Sequence, residues 1–152
     1  MVFAEFEREM TFRRNSLNAY ERSKRGLANG GLTILGYRRD QKRKGYLIDD
    51  EKESEVFKAI FKTYVKERSI RRNTDLIKER YEGLTPKLKK IPSSKIYGIL
   101  TNKAYIGIRV INKRDKAEYE EVKAVWEPII EKELFEKAQT ILQENRDRYH
   151  AK

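Results

Sequence analysis

The sequence predicts an α+β fold, in which a long N-terminal helix precedes a small helical domain with short antiparallel strands. Three observations lead to this prediction. Apolar residues recur at helical spacing in five segments, two pairs of short β-type runs flank basic turns, and a glycine pair separates the first helix from the remainder. We therefore divide the chain into a linker helix over residues 1–28 and a domain over residues 29–152.

The first helix is predicted over residues 3–28 and carries only a narrow apolar stripe. The stripe consists of Phe3, Phe6, Met10, Leu17 and Tyr20. Acidic residues lie early in the segment and basic residues lie late, which suits the helix dipole. A long helix with so thin a stripe is expected to project, join domains or pair with another helix. The sequence Asn29-Gly30-Gly31 is expected to end it, because glycine adopts the backbone angles of a helix stop.

Two β-hairpins are predicted in the domain. The first joins strands over residues 32–37 and 46–48 through a turn at 38–45 that holds five bases. The second joins a strand over 105–111 to a strand over 119–126. Both turns are strongly basic and are therefore expected to face solvent.

Four further amphipathic helices are predicted, over residues 51–66, 70–81, 93–101 and 131–147. A basic, proline-bracketed loop over 84–92 separates the second of these from the third. The apolar residues expected on the buried faces of three of them are Val56, Phe57, Ile60, Phe61, Tyr64, Ile96, Ile99, Leu100, Leu134, Phe135, Ala138, Ile141 and Leu142.

The composition argues against several classes of function. The chain has no Cys and a single His, so we expect no metal site, no cofactor and no Ser-His-Asp arrangement. No apolar run is long enough for a membrane span and no signal peptide is evident, so a cytoplasmic location is the default expectation. The acids of the last helix, Glu131, Glu133, Glu136 and Glu144, are expected on its solvent-facing side, whereas a catalytic carboxylate pair would need burial.

Net charge is the strongest functional signal. The chain carries +11, and the excess lies in two blocks. Residues 12–44 hold ten Lys/Arg against two acids, and residues 85–114 hold eight Lys/Arg and no acid. Such blocks favour a nucleic-acid partner, because each cation near a phosphate releases counterions. Solubilising charge is the alternative, and an anionic membrane surface is a weaker one, since the blocks lack an apolar face.

The helices at 70–81 and 93–101, followed by a strand pair, resemble a helix-turn-helix with a wing. The second helix would then read base edges through its outward residues, which are Ser93, Ser94, Lys95 and Tyr97. The alternative is that the two helices merely pack together and that Tyr97 lies at the edge of the core.

A second set of candidate DNA contacts surrounds the glycine pair. A basic helix that ends in an extended, glycine-rich segment is typical of arms that follow a DNA backbone or enter a minor groove. The candidates are Arg13, Arg14, Arg22, Lys24, Arg25, Asn29, Gly30, Gly31, Arg38 and Arg39, with Lys90 and Lys103 flanking the proposed reading helix. The alternative for each of these bases is a solvated helix face.

Four segments together resemble the large serine recombinases, the family of phage integrases and transposon recombinases. They are Phe3-Ala4-Glu5-Phe6-Glu7-Arg8-Glu9, the pair Gly30-Gly31 followed by Gly36-Tyr37-Arg38, the helix with Glu55-Val56-Phe57 and Ile60-Phe61, and Ile99-Leu100-Thr101-Asn102 followed by Tyr105-Ile106-Gly107. Their order along residues 3–110 is that of the family. The chain departs from the family at Ile91-Pro92, where an aromatic is frequent, and at Lys103, where proline is frequent.

The resemblance implies a recombinase domain that binds half of a double-stranded attachment site. It implies minor-groove contact by the linker near Gly30-Gly31 and major-groove contact by the helix at 93–101. In the family, the nucleophilic serine lies in a preceding domain and a zinc ribbon usually follows, so we expect a fragment without catalytic activity. The full-length protein would assemble as a dimer or tetramer on DNA.

Two other functions remain open from the sequence alone. The first is a winged-helix transcription regulator whose long helix forms a dimer. The second is an interaction module whose basic blocks bind an acidic protein.

Overall fold

The computed structural model describes residues 1–81 and 91–151, and its mixed architecture confirms the predicted α+β class. The elements in chain order are α1 (Val2–Lys24), β1 (Tyr37–Arg39), β2 (Leu47–Asp49), α2 (Glu51–Glu67), α3 (Ile70–Tyr81), α4 (Ser93–Leu100), a 3-10 helix (Lys103–Ile106), β3 (Ile108–Ile111), β4 (Glu120–Lys123) and α5 (Lys132–His150). Strands β1 and β2 form one antiparallel pair, and β3 and β4 form another. Within the described residues, no helix is both long enough and apolar enough to cross a bilayer.

Helix α1 ends at Lys24, four residues earlier than predicted, and Gly26 rather than Gly30-Gly31 is the stop. Gly26 has a left-handed φ of +74°. Its N–H donates to the Ser23 carbonyl at 2.9 Å, and the Leu27 N–H donates to the Arg22 carbonyl at 3.0 Å. This bonding pattern is the Schellman motif, which satisfies the last carbonyls of a helix. Two glycine stops were available in the sequence, and only the first has the backbone angle that the motif requires.

Most of α1 lies away from the domain, since residues 1–18 are all exposed. The predicted apolar stripe is therefore unburied, with Phe3 84% exposed and Leu17 65% exposed. Contact with the domain begins near the end of the helix, where the Tyr20 hydroxyl donates to the Glu120 carboxylate at 3.0 Å and the Lys24 ammonium pairs with the same carboxylate. The helix therefore projects from the domain and is attached through its last turns.

Both predicted hairpins exist, but their strands are shorter than expected. Strand β1 begins at Tyr37 instead of residue 32, because Gly36 at φ +87° turns the chain. A Cβ on Gly36 would lie 2.9 Å from the Phe57 ring, so this glycine is also a point of close packing. Leu47 pairs with Arg39 across the hairpin. Residues 32–36 are therefore not a strand, and residues 25–36 form an irregular linker between α1 and β1.

The second hairpin begins at Ile108, and the predicted strand over 105–111 is wrong for its first three residues. The Asn102 side chain accepts the Ala104 N–H at 3.0 Å and caps a 3-10 helix there. Gly107, at φ +74°, ends that helix. Strand β4 is also shorter than the predicted 119–126 and stops at Lys123. The chain beyond β4 turns Trp126 into the core instead, where its indole N–H donates to the Ala104 carbonyl at 3.0 Å.

The predicted domain helices agree with α2, α3, α4 and α5 to within a few residues at each end. Asp50 caps α2 by accepting the Glu53 N–H at 3.3 Å, and Ser69 accepts the Arg72 N–H at 3.3 Å at the start of α3. These bonds satisfy donors that a helix leaves unpaired at its N-terminus.

An aromatic cluster joins the helices to the strands. The ring of Tyr105 stacks on Phe57 at 5.4 Å between centroids and meets Phe61 edge-on at 6.1 Å. Its hydroxyl donates to the Leu35 carbonyl at 3.0 Å, and burial raises the pKa of the Tyr105 phenol, which stays neutral. The Tyr37 hydroxyl donates to the Glu127 carbonyl at 2.8 Å. This cluster fixes the linker before β1, α2 and the 3-10 helix relative to one another.

Helix α4 is held on three sides. The Thr74 and Ser93 hydroxyl oxygens lie 3.4 Å apart where α3 meets the start of α4. The Gln139 side chain of α5 donates to the Leu100 carbonyl at 2.6 Å, at the end of α4. Asn73 of α3 donates to the Ile60 carbonyl of α2 at 2.8 Å, which ties α3, and through it α4, to the core. Because α4 is braced at both ends, its outward face is presented rigidly.

Candidate nucleic-acid interface

The exposure of α4 divides as the sequence predicts. Ile96, Ile99 and Leu100 are buried, whereas Ser93, Ser94 and Lys95 are exposed. Tyr97 is 53% exposed, so about half of its surface is open to solvent. Within the part of the chain that the structure describes, the side chains of Ser94 and Lys95 have no hydrogen-bond or ion-pair partner. The helix therefore offers a short hydroxyl, a cation and an aromatic ring to solvent on one face.

The linker turns at Asn29-Gly30-Gly31, where the Leu32 N–H donates to the Asn29 carbonyl at 3.0 Å, and neighbouring side chains brace it. The Asn29 amide donates to the Ala19 carbonyl at 3.1 Å and to the Ser23 hydroxyl at 2.9 Å. The Arg39 guanidinium donates to the carbonyls of Asn29 at 3.3 Å, of Gly30, and of Leu32 at 3.2 Å. Two of the predicted DNA contacts thus shape the linker from within the protein. The Arg39 charge lies directly beneath the glycine pair.

Arg109 was not predicted as a site residue, although it lies in the second basic block. Its guanidinium donates to the Ser23 hydroxyl at 3.3 Å and to the Val110 carbonyl at 3.3 Å. Its Nε is buried without a partner among the described residues. Burial lowers the pKa of the Arg109 guanidinium, which still lies far above neutral pH. The strand periodicity alone gave no sign that this side chain would turn toward the end of α1.

Several of the predicted cations are engaged in surface pairs. Lys24 pairs with Glu120, and Lys103 pairs with Glu121, which also accepts the Tyr119 hydroxyl. The Lys103 and Tyr119 hydrogen bonds lower the pKa of Glu121, and those from Lys24 and Tyr20 lower the pKa of Glu120. Exposed pairs of this kind stabilise a protein only weakly, because solvent and salt screen them. A phosphate can therefore compete for these lysines at little expense to the fold.

The other candidates fall into three groups. Arg13 pairs with Glu9 at 2.7 Å, and Arg22 donates to the Ala28 carbonyl at 3.5 Å. Lys90 lies outside the described residues. Within residues 1–81 and 91–151, the candidate bases with no hydrogen-bond or ion-pair partner are Arg14, Arg25, Arg38 and Lys95. This last group is the set most available to phosphates.

A groove of about 320 Å³ brings the two basic blocks together. Its walls come from residues 32–34 of the linker, the C-terminal half of α4 and the hairpin of β3 and β4. Its lining includes Thr33, Gly98, Thr101, Lys103, Arg109 and Lys113. Of these residues, only Lys103 was predicted from the sequence as a DNA contact, because the juxtaposition depends on tertiary packing. The linker and the end of α4 therefore share one face of the domain.

The arrangement suits a polyanion better than a small molecule or a metal ion. The groove is open, and cations lie on it and on both elements that flank it. Among residues 1–81 and 91–151, no group of three acidic or histidine side chains could hold a metal ion.

Comparison with known proteins gives the family and the fold of the chain. The family described as Recombinase matches residues 51–145. A crystal structure of an LSR–DNA complex is similar over 86% of this chain, with a TM-score of 0.64 and 25% sequence identity. A structure from a study of the sequence requirements of the Listeria innocua prophage attP site is similar over 86% of this chain, with a TM-score of 0.61 and 26% identity. No curated protein sequence matches the chain. The chain spans 38% and 51% of the lengths of the two solved proteins.

Proposed function

Because this chain belongs to the Recombinase family and has the fold of a large serine recombinase's recombinase-domain region, we propose that it binds one half of a double-stranded attachment site. The observation that carries the proposal is the groove shared by the linker, α4 and the second hairpin. It joins the two segments that the sequence marks as basic, on one face of the domain. A double helix is the polyanion whose width and charge suit such a face.

We propose that α4 enters the major groove with Ser94, Lys95 and Tyr97 toward the bases. The major groove is about 12 Å wide and accepts one helix. Lysine can donate to guanine, and a serine hydroxyl can serve either base of a pair. Rigid bracing of α4 by Thr74 and Gln139 supports this role, because a reading helix needs a fixed register. Helices α3 and α4 would then be the two helices of a helix-turn-helix, and the predicted basic loop over residues 84–92 lies outside the described residues up to residue 90.

We propose that the linker follows the adjacent minor groove. Gly30 and Gly31 have no neighbouring atom within 4 Å of a Cβ position, so this segment is both slim and accessible. The minor groove is only about 6 Å wide, and a backbone without side chains fits it best. Arg39 beneath the linker adds positive charge, which a narrow minor groove attracts.

We further propose that DNA cleavage and rejoining belong to a part of a longer recombinase outside these 152 residues. The expected role of this region is binding, and dimers or tetramers would form on the DNA through the complete protein. The projecting α1 supports this division, because most of its surface is available to a neighbouring part.

Selection from a random duplex library tests sequence-selective binding directly. We expect the chain to enrich a defined sequence and to bind it with steep salt dependence. The three bases without protein partners that we assign to phosphates, Arg14, Arg25 and Arg38, contribute about −2.7 to the slope of log affinity against log salt, at about −0.9 per phosphate contact. Raising salt fourfold would then weaken binding by at least about 40-fold.

A matched pair of variants sharpens this test. Arg38→Ala is expected to make the slope shallower by about 0.9, whereas Lys58→Ala, an exposed cation of α2 outside both basic blocks, is expected to leave it unchanged. Failure to enrich any sequence, or affinity that does not change with salt, would refute the proposal.

A further inference from the structure

The seven glycines among the described residues fall into two groups. Gly26, Gly36, Gly45 and Gly107 have a left-handed φ, so the fold requires glycine there. The remaining three, Gly30, Gly31 and Gly98, have no left-handed φ and no neighbouring atom within 4 Å of a Cβ position. The fold of the chain therefore gives no reason for glycine at these three positions.

Gly98 is the most informative of the three, because it lies inside helix α4. Glycine is among the least favourable residues in a helix interior, and alanine would fit here without contact. Residues three and four positions apart share a helix face, so Gly98 lies beside Ser94, Lys95 and Thr101. Gly98 is exposed like the first two of these neighbours. The helix backbone is therefore uncovered by a side chain at this point of its outward surface.

Gly98 also lines the groove that the linker and the second hairpin share. Thr33 lies on the linker wall, and Arg109 and Lys113 lie on the hairpin wall. Among the described residues, no acidic side chain lines this groove. Its charge therefore complements a phosphate backbone.

We propose that Gly98 is the point of closest approach between α4 and duplex DNA, where one sugar–phosphate strand passes between the linker and the hairpin. Without a side chain at Gly98, the strand contacts the helix backbone, and Lys113 and Arg109 face its phosphates from the hairpin. This inference rests on the proposed DNA binding and adds a residue that determines how deeply α4 enters the groove. It also makes the β3–β4 hairpin a backbone contact.

Substitution of Gly98 by alanine and by leucine tests the proposal, because both residues favour the helix more than glycine does. We expect Gly98→Ala to raise the melting temperature by roughly 2–4 °C. We expect the same variant to bind the library-selected duplex about fivefold more weakly, and Gly98→Leu to bind it more than 50-fold more weakly. Stability and affinity would thus move in opposite directions, which a purely structural role does not produce.

Thr63→Ala is the matched control. Thr63 is a half-buried, uncharged residue of α2. It lies within residues 45–84, where nine acids balance nine bases. Its replacement also favours the helix, and we expect it to leave DNA affinity unchanged. Lys113→Ala should weaken binding and make the salt slope shallower by about 0.9.

The outcomes separate the two proposals. If the parent chain binds no duplex, the proposed function fails and this inference fails with it. If the parent binds and Gly98→Leu binds with equal affinity and equal selectivity, only the inference about Gly98 is overturned. Gly98→Ala gives the same decision should the leucine variant fail to fold.

Discussion

Replacement of Gly26 by alanine is expected to loosen the junction between α1 and the domain. The residue has φ +74°, and a Cβ built on it would lie 2.2 Å from the Lys123 carbonyl oxygen. The left-handed conformation costs a residue with a side chain about 1–2 kcal/mol. The clash with strand backbone adds about 1–3 kcal/mol, because neither partner is the flexible end of a side chain.

The two costs together predict a loss of about 2–5 kcal/mol in the free energy of unfolding, limited by how far the junction can open. Opening would break the 3.2 Å hydrogen bond from the Val125 N–H to the Gly26 carbonyl. Urea denaturation measures the first effect, and hydrogen exchange at the Val125 and Leu27 amides measures the second. Both amides should lose protection in the variant.

Gly30→Ala is the matched control for this prediction. Gly30 has no left-handed φ and no atom within 4 Å of a Cβ position, so alanine there should be neutral or stabilising by a few tenths of a kcal/mol. The reasoning is refuted if Gly26→Ala is as stable as the parent, or if Gly30→Ala is destabilised to the same extent.

Three further predictions concern base reading, the first helix and pH. Ser94→Ala combined with Lys95→Ala should reduce the preference for the selected duplex over a scrambled one more than it reduces total binding, as measured by competition, and unchanged preference would remove α4 from the reading role. Deletion of residues 1–18, which are exposed, should weaken DNA binding but preserve a cooperative melt at the temperature of the parent chain. Deletion of residues 1–28 also removes buried apolar residues and should lower the melting temperature. Equal melting temperatures for the two deletions would contradict this prediction. The lysine and tyrosine partners of Glu121 lower its pKa in the folded state, so its stabilising contribution is present above the ordinary value of 4.5 and is lost as pH falls through the folded value. Glu121→Gln should therefore reduce the loss of stability at acidic pH by less than about 1 kcal/mol. An unchanged loss of stability at acidic pH would show that the pair contributes nothing.

The helices of the domain were predictable because their signals are local. Val56, Ile60 and Tyr64 recur at one-turn spacing, and the apolar residues of 93–101 recur at helical spacing as well. Burial of Ile96, Ile99 and Leu100 follows from that spacing alone. The exposure of Ser94 and Lys95 could therefore be read from the sequence.

The ends of α1 and of the strands could not be predicted, because tertiary contacts decide them. Gly26 and Gly30 are equally good helix stops in the sequence, and close packing against Lys123 distinguishes them. An alternating run near Tyr105 predicts a strand, yet the Asn102 cap and burial of the Tyr105 ring favour a 3-10 helix. The DNA contacts were limited in the same way. A list of bases does not reveal that Arg39 braces the linker or that Arg109 reaches Ser23.

The exposed part of α1 acts geometrically as a lever. Its 18 outward residues extend about 27 Å at about 1.5 Å per residue, and the fulcrum is the Glu120 carboxylate that holds Tyr20 and Lys24. A tilt of about 10° at that fulcrum displaces the far tip by about 5 Å. Small adjustments of the hairpin carrying Glu120 are thereby magnified at Met1.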